Sequence, residues 1–188
     1  MKKNRILTTQ RITRDAMLAA VCAVLGFIAL DLGNVKVTFE SLPVLLAGFM
    51  FGPIDGMLVG GVGTLVYQLL RYGISATTFL WMLPYIMCGL VVGLAAMKKA
   101  NRTDPKRILL IIILVEIMIL IVNTGVIYID SKIYGYYSAV YVFGSLAIRI
   151  VICIIKSVVF GLVMPVLLKG LKAVNHIERN TDKAGQKR

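Results

Sequence analysis

Apolar residues recur along this chain in long runs separated by short polar breaks. The runs lie at about 16–32, 41–51, 54–70, 79–97, 108–129 and 138–168. A helix needs roughly 20 predominantly apolar residues to cross the ~30 Å hydrocarbon core of a bilayer, so the pattern predicts a bundle of membrane-crossing helices. Four breaks are plainly polar: GNVKVTFES at 33–41, RYGISATT at 71–78, KKANRTDPKR at 98–107 and IDSKIYGYY at 129–137. The second and third runs, by contrast, are divided only by FGPIDG at 51–56. Proline breaks a helix and fixes φ, glycine admits backbone conformations that a helix forbids, and Asp55 prefers water to hydrocarbon. Two readings remain at this point: one long flawed helix, or a hairpin of two.

Charge decides between them. All 21 basic residues except Lys36, Arg71, Lys132, Arg149 and Lys156 fall in three polar segments: the first 15 residues, the break around 98–107, and the end of the chain from Lys169. Basic segments stay on the cytoplasmic side, so an even number of crossings must separate each from the next. A hairpin at FGPIDG gives four crossings between Arg14 and Lys98, whereas a single helix would give three. FGPIDG is therefore predicted to be a cytoplasmic turn with Asp55 in water. The 41–51 helix is too short to span upright, which predicts that it begins within the preceding loop or is shielded by protein. The expected fold is an all-α integral membrane protein with six transmembrane helices and both termini cytoplasmic. It forms one domain over 1–188, with 1–15 and 170–188 as basic cytoplasmic ends. The first 15 residues lack the short apolar core and small-residue cleavage pattern of a secretory signal and read as a retained segment.

Composition narrows the function classes. With 59% hydrophobic residues and a mean hydropathy of +0.85, the chain has more apolar surface than one soluble core of 188 residues can hide. The net charge of +12 would suit nucleic acid on a soluble domain, but its confinement to three loops argues for a bilayer instead. Cys22, Cys88 and Cys153 each lie inside an apolar run with no C-x-x-C spacing, and His176, the sole histidine, sits in the polar tail. No metal set, catalytic dyad or cofactor motif is readable, so no enzyme is expected. GGVGT at 60–64 lacks the lysine of a phosphate-binding loop.

Charges inside spans are costly and face a cavity, a partner or water. Glu116 and Asn123 are seven residues apart on the fifth span, as are Arg149 and Lys156 on the sixth, so each pair occupies one helix face. Because these spans run in opposite directions, Glu116 shares a depth with Lys156, and Asn123 with Arg149. The deeper tier reads as a structural ion pair or a ligand contact. The outer tier lies about 10 Å below the outer surface by helix rise, within reach of an external ligand. There the guanidinium of Arg149 suits a carboxylate or a planar polar ring. Gln68, Arg71, Phe79, Trp81 and Tyr85 lie near the same side and complete a candidate cavity of mixed polarity. Lipid anchoring explains Trp81, and an aromatic belt explains Tyr72, Tyr134, Tyr136, Tyr137 and Tyr141, equally well without a ligand. Ala16, Ala19, Ala20 and Ala23 give overlapping A-x-x-x-A spacings on the first span, a pattern for close helix packing within the chain or against another membrane protein.

Four features together resemble one family: the six-helix arrangement, RDAMLAAVCAVLGF at 14–27, VTFESLPVLLAGFMFGPIDGMLVGGVGTLV at 37–66, and LPYIMCGLVVGL at 83–94. They are similar to the substrate-binding S components of energy-coupling factor (ECF) vitamin transporters. NTGVIY at 123–128 and the array Arg149, Lys156, Pro165 look most like the folate-specific branch. The resemblance implies a high-affinity vitamin-binding subunit in the cell membrane of a bacterium. It would work with a transmembrane coupling subunit and two cytoplasmic ATPases that hydrolyse ATP on its behalf. It also implies coupling-subunit contact through Ala16 and Ala20, with Ala19 and Ala23 as the alternative register. The substrate-binding set to be tested is Arg149, Asn123, Gln68, Arg71, Phe79, Trp81, Tyr85 and Lys156. The rival readings are an S component for riboflavin, thiamine or pantothenate, an autonomous ion-coupled carrier, and a membrane scaffold.

Overall fold

A computed structural model describes the backbone over residues 9–28, 30–31, 36–98 and 104–185, and side chains within those segments up to residue 171, those of Leu30, Asp31 and Lys36 excepted. The expectations for residues 1–8 and for the side chain of His176 lie outside the described residues. The described chain runs α1 (Thr9–Phe27), β1 (Leu30–Asp31), β2 (Lys36–Val37), α2 (Ser41–Phe51), α3 (Pro53–Tyr72), α4 (Thr78–Ala95), α5 (Pro105–Ile133), α6 (Ala139–Phe143) and α7 (Leu146–Gly185). It is an all-α membrane fold of six principal helices with α6 as a short step between the last two. The strands are a two-residue antiparallel ribbon that pairs Leu30 with Val37 and Asp31 with Lys36. Helices α3, α4, α5 and the α6–α7 segment are long and apolar enough to cross a membrane, and α2 is a shorter apolar helix.

Several boundaries differ from the hydropathy runs. The first run extends to residue 32, but α1 ends at Phe27 and the chain turns into the ribbon. The fifth span starts earlier, because Asp104 caps it by accepting from the Lys106 amide at 3.0 Å and Pro105 occupies the first helical position. The sixth run is two helices. The Gly144 amide closes α6 on the Val140 carbonyl, and the Ser145 carbonyl opens α7 by accepting from the Arg149 amide.

FGPIDG forms the predicted hairpin turn. Gly52 has φ 108° and ψ −174°, a conformation essentially restricted to glycine, and Pro53 begins α3 with the φ that a helix needs. The expectation that Asp55 sits in water is incorrect. Asp55 is buried in the first turn of α3, where Arg11 pairs with its Oδ1 and Arg14 Nη2 donates to Oδ2 at 2.9 Å. Arg14 also lies 3.4 Å over the Phe51 ring and bonds Asp15 at 3.0 Å. A carboxylate at a helix N-terminus is favoured by the dipole, and two guanidinium groups offset its burial.

Helix α3 packs between α1 and α4. Its contact with α4 is backbone to backbone: a Cβ added at Gly89 would stand 2.1 Å from the Gly56 carbonyl carbon. Such contacts let dispersion hold helices together where lipid offers no hydrophobic drive. Gly89→Ala is expected to lower the stability of the detergent-solubilised protein by about 2 kcal/mol, as overpacking does. A thermal unfolding midpoint equal to wild type would show that the two helices can part without cost. Around this contact Val44, Leu45, Phe49, Val92, Ile112, Phe160 and Met164 form a buried core. Leu110, Leu114 and Ile121 of α5 and Ile154, Ile155 and Leu162 of α7 face outward, as lipid-facing residues must.

Candidate functional site

The length of α2 creates the site. Eleven residues rise about 16 Å, roughly half the hydrocarbon core, so α2 starts at mid-depth and leaves the other half of its path empty. The surrounding helices enclose a cavity of about 590 Å³ there, edged by Val37 and Thr38 of the ribbon side and by Ser75 and Thr77 of the α3–α4 loop.

Its floor is polar. Lys156 Nζ of α7 lies 3.1 Å from Glu116 Oε2 of α5, and the Ser41 hydroxyl at the start of α2 donates to Glu116 Oε1 at 2.8 Å. Glu40, just before α2, is 2% exposed, and Tyr85 of α4 faces its carboxyl with the hydroxyl 3.2 Å from Thr38 Oγ1. Above the floor stand Gln68, Asn123 and Arg149. The Nη1 of Arg149 is buried with no hydrogen-bond partner among the described residues.

The mouth is aromatic and carries one acid. Trp81 Nε1 donates to Asp130 Oδ1 at 3.4 Å, and the Tyr136 hydroxyl donates to Asp130 Oδ2. Tyr136 in turn meets Tyr141 edge to face, ring centroids 5.4 Å apart. Burial and the adjacent Asp130 carboxylate push the Tyr136 hydroxyl well above the ordinary phenol range, so it remains a donor. Flat walls with a few fixed polar groups suit a planar heteroaromatic ligand.

The cavity brings together Gln68, Trp81, Tyr85, Asn123, Arg149 and Lys156. It does not include Arg71, which lies by the Tyr72 ring at 5.8 Å, or Phe79, which is 74% exposed on the outside of α4. Lining residues missed from sequence include Glu40, Thr64, Tyr67, Asp130, Tyr136 and Tyr141. Asp130 belongs to the last turns of α5 rather than to a loop, and Tyr136 and Tyr141 edge the cavity mouth while staying partly exposed. The alanines divide by face. Ala19 and Ala23 are buried, with the Ala19 carbonyl approaching Gly63 of α3, while Ala16 and Ala20 are exposed on the outer face of α1.

A membrane bundle closed below mid-depth, with one polar-lined cavity in its other half, defines a membrane-embedded binding subunit for a small molecule. The family follows from the sequence: residues 10–168 match the model for the ECF transporter, substrate-specific component, and the chain belongs to that family. It is thus a vitamin-binding transporter subunit that works with an ECF module, and not an enzyme. Among solved structures it is similar to FolT bound with folic acid, with 24% identity, a TM-score of 0.70, and 87% of this chain and 97% of that one covered. It is also similar to the S component of a bacterial ECF transporter, with 26% identity, a TM-score of 0.64, and 87% and 98% covered. No curated protein matches the chain by sequence.

Proposed function

We propose that this protein is the folate-binding S component of an ECF transporter in a bacterial plasma membrane. The observation that carries the reading is the orphaned Arg149 Nη1 in an aromatic-lined cavity, since folate offers both a flat ring and carboxylates. The similarity in fold to FolT bound with folic acid supports it. On this reading Asn123 or Gln68 matches the edge of the pterin, Trp81 and Tyr85 flank it, and Arg149 takes a ring acceptor or a glutamate carboxylate. Lys156 acts through Glu116, and Arg71 and Phe79 serve outside the cavity.

Residues 1–188 form one domain on this proposal, with 1–15 and 170–188 in the cytoplasm and the cavity opening outward. A transmembrane coupling subunit and two ATPases supply the driving force. Ala16 and Ala20 offer the exposed small-residue face that such a subunit needs, and Ala19 and Ala23 are committed to packing within the chain.

Direct titration of the purified protein tests the reading. Saturable folate binding is expected, together with folate identified by mass spectrometry in protein carried through purification. Tight binding of riboflavin, thiamine or pantothenate with none of folate would assign the protein to another vitamin.

A further inference from the structure

We propose that Asp55, gripped by Arg11 and Arg14, is a positioning residue for docking: it fixes the first turns of α1 so that Ala16 and Ala20 present one rigid face to the coupling subunit. This rests on the reading of those two alanines as the coupling face and names what holds that face in place.

Helix α1 is attached to α3 at two levels. Past its middle the attachment is close packing, since a Cβ added at Gly63 would stand 2.6 Å from the Cys22 Cβ and 3.0 Å from the Ala19 carbonyl oxygen. Near its start the attachment is ionic: Arg11 Nε donates to Asp55 Oδ1 at 2.6 Å and Arg14 Nη2 to Oδ2 at 2.9 Å. Arg14 also covers the ring of Phe51, the last residue of α2, so one guanidinium touches both limbs of the hairpin. The hairpin in turn is seated on α4, where a Cβ added at Gly93 would be 2.2 Å from the Pro53 Cα. Asp55 is thus an anchor built into the α3–α4 contact, and α1 is the element that it positions.

A helix held at one point can pivot and roll about it, and a second fixing removes that freedom. Ala16 lies between the two levels and Ala20 at the upper one, both exposed. Small-residue faces hold one another by dispersion, and a gap of about 0.5–1 Å already forfeits a quarter to a half of that attraction. Docking through two alanines therefore depends on the angle at which α1 stands. Ligand binding does not, because α3 rises about 20 Å from Asp55 to Gln68, and neither Asp55 nor its two arginines line the cavity.

The test uses the full chain in nanodiscs, with the purified coupling subunit and its ATPases as the probe. Asp55→Asn keeps the size and removes the charge, and both guanidiniums, 25% and 35% exposed, can turn to water, so the variant is expected to fold. Its affinity for folic acid, read by Trp81 fluorescence, should equal wild type, while its affinity for the coupling module should fall about tenfold. Asp55→Glu retains the charge and should recover most of that loss. Arg11→Gln removes one arm, should lose less, and carries the test if Asp55→Asn does not fold. Spin labels at Met17→Cys of α1 and Leu94→Cys of α4, both exposed in a chain whose own cysteines are buried, report where α1 stands. A narrow distance distribution is expected in wild type and a broad one in Asp55→Asn. An unchanged distribution, wild-type affinity for the module, or a parallel loss of folic acid binding would overturn the latch and leave the coupling face standing. Ala20→Leu tests the reading beneath it: wild-type affinity for the module in that variant would overturn the coupling face and this inference with it.

Discussion

Arg149→Ala is expected to weaken ligand binding at least tenfold. The guanidinium reaches the cavity with Nη1 buried and unpartnered, so its hydrogen bond must come from whatever occupies the space. A hydrogen bond to a charged group contributes about 1.5–3 kcal/mol, and 1.4 kcal/mol is a tenfold change in Kd. Arg149→Lys keeps the charge but loses the planar fork and should fall between the two. Trp81, the only tryptophan in the chain, lines the same cavity, so quenching of its fluorescence on ligand addition gives the affinity directly. Wild-type affinity in Arg149→Ala would remove this residue from the binding site.

Lys156→Ala should act on the fold instead. Removing the ammonium leaves Glu116 buried, 3% exposed, with the Ser41 hydroxyl as its hydrogen-bond partner among the described residues. Breaking one side of a buried ion pair costs about 3–5 kcal/mol, mostly as the penalty of the stranded charge, whereas replacing both partners with apolar groups of similar volume is close to neutral. Lys156→Ala is thus expected to be strongly destabilised in denaturant titrations, and Glu116→Leu combined with Lys156→Met should recover most of the loss. If Lys156→Ala keeps wild-type stability but loses ligand, the lysine serves the ligand rather than the fold. That result would choose the other reading that the seven-residue spacing left open.

The architecture was largely legible in the sequence because the bilayer imposes coarse rules: a required helix length, and basic segments on one side. These were enough to place the FGPIDG hairpin and to set Glu116 opposite Lys156. The site was only half legible. Gln68, Asn123 and Arg149 stood out as polar residues in apolar spans, and that is why they were found. Glu40 did not, because it lies in a polar break where a carboxylate is ordinary, and its burial depends on α2 starting at mid-depth. Asp55 departs from the expectation for a related reason. A turn between helices looks solvated until the start of α1 is laid over it, and only tertiary packing brings Arg11 and Arg14 there. Phe79 shares a depth with the cavity but is exposed on the outside of α4, a matter of helix rotation, while Arg71 stays by the Tyr72 ring at the cavity's edge without lining it.

The short α2 has one further consequence. Beneath the floor, toward the basic turns, Val44, Leu45, Phe49, Val92, Ile112, Phe160 and Met164 are packed without exposure beyond 1%, so the cavity is a blind well and not a pore. An ion passing those apolar side chains would be stripped of water, a cost of many kcal/mol. The subunit can therefore stand in an energised membrane as an electrical insulator, holding a polar cargo without short-circuiting the gradient around it.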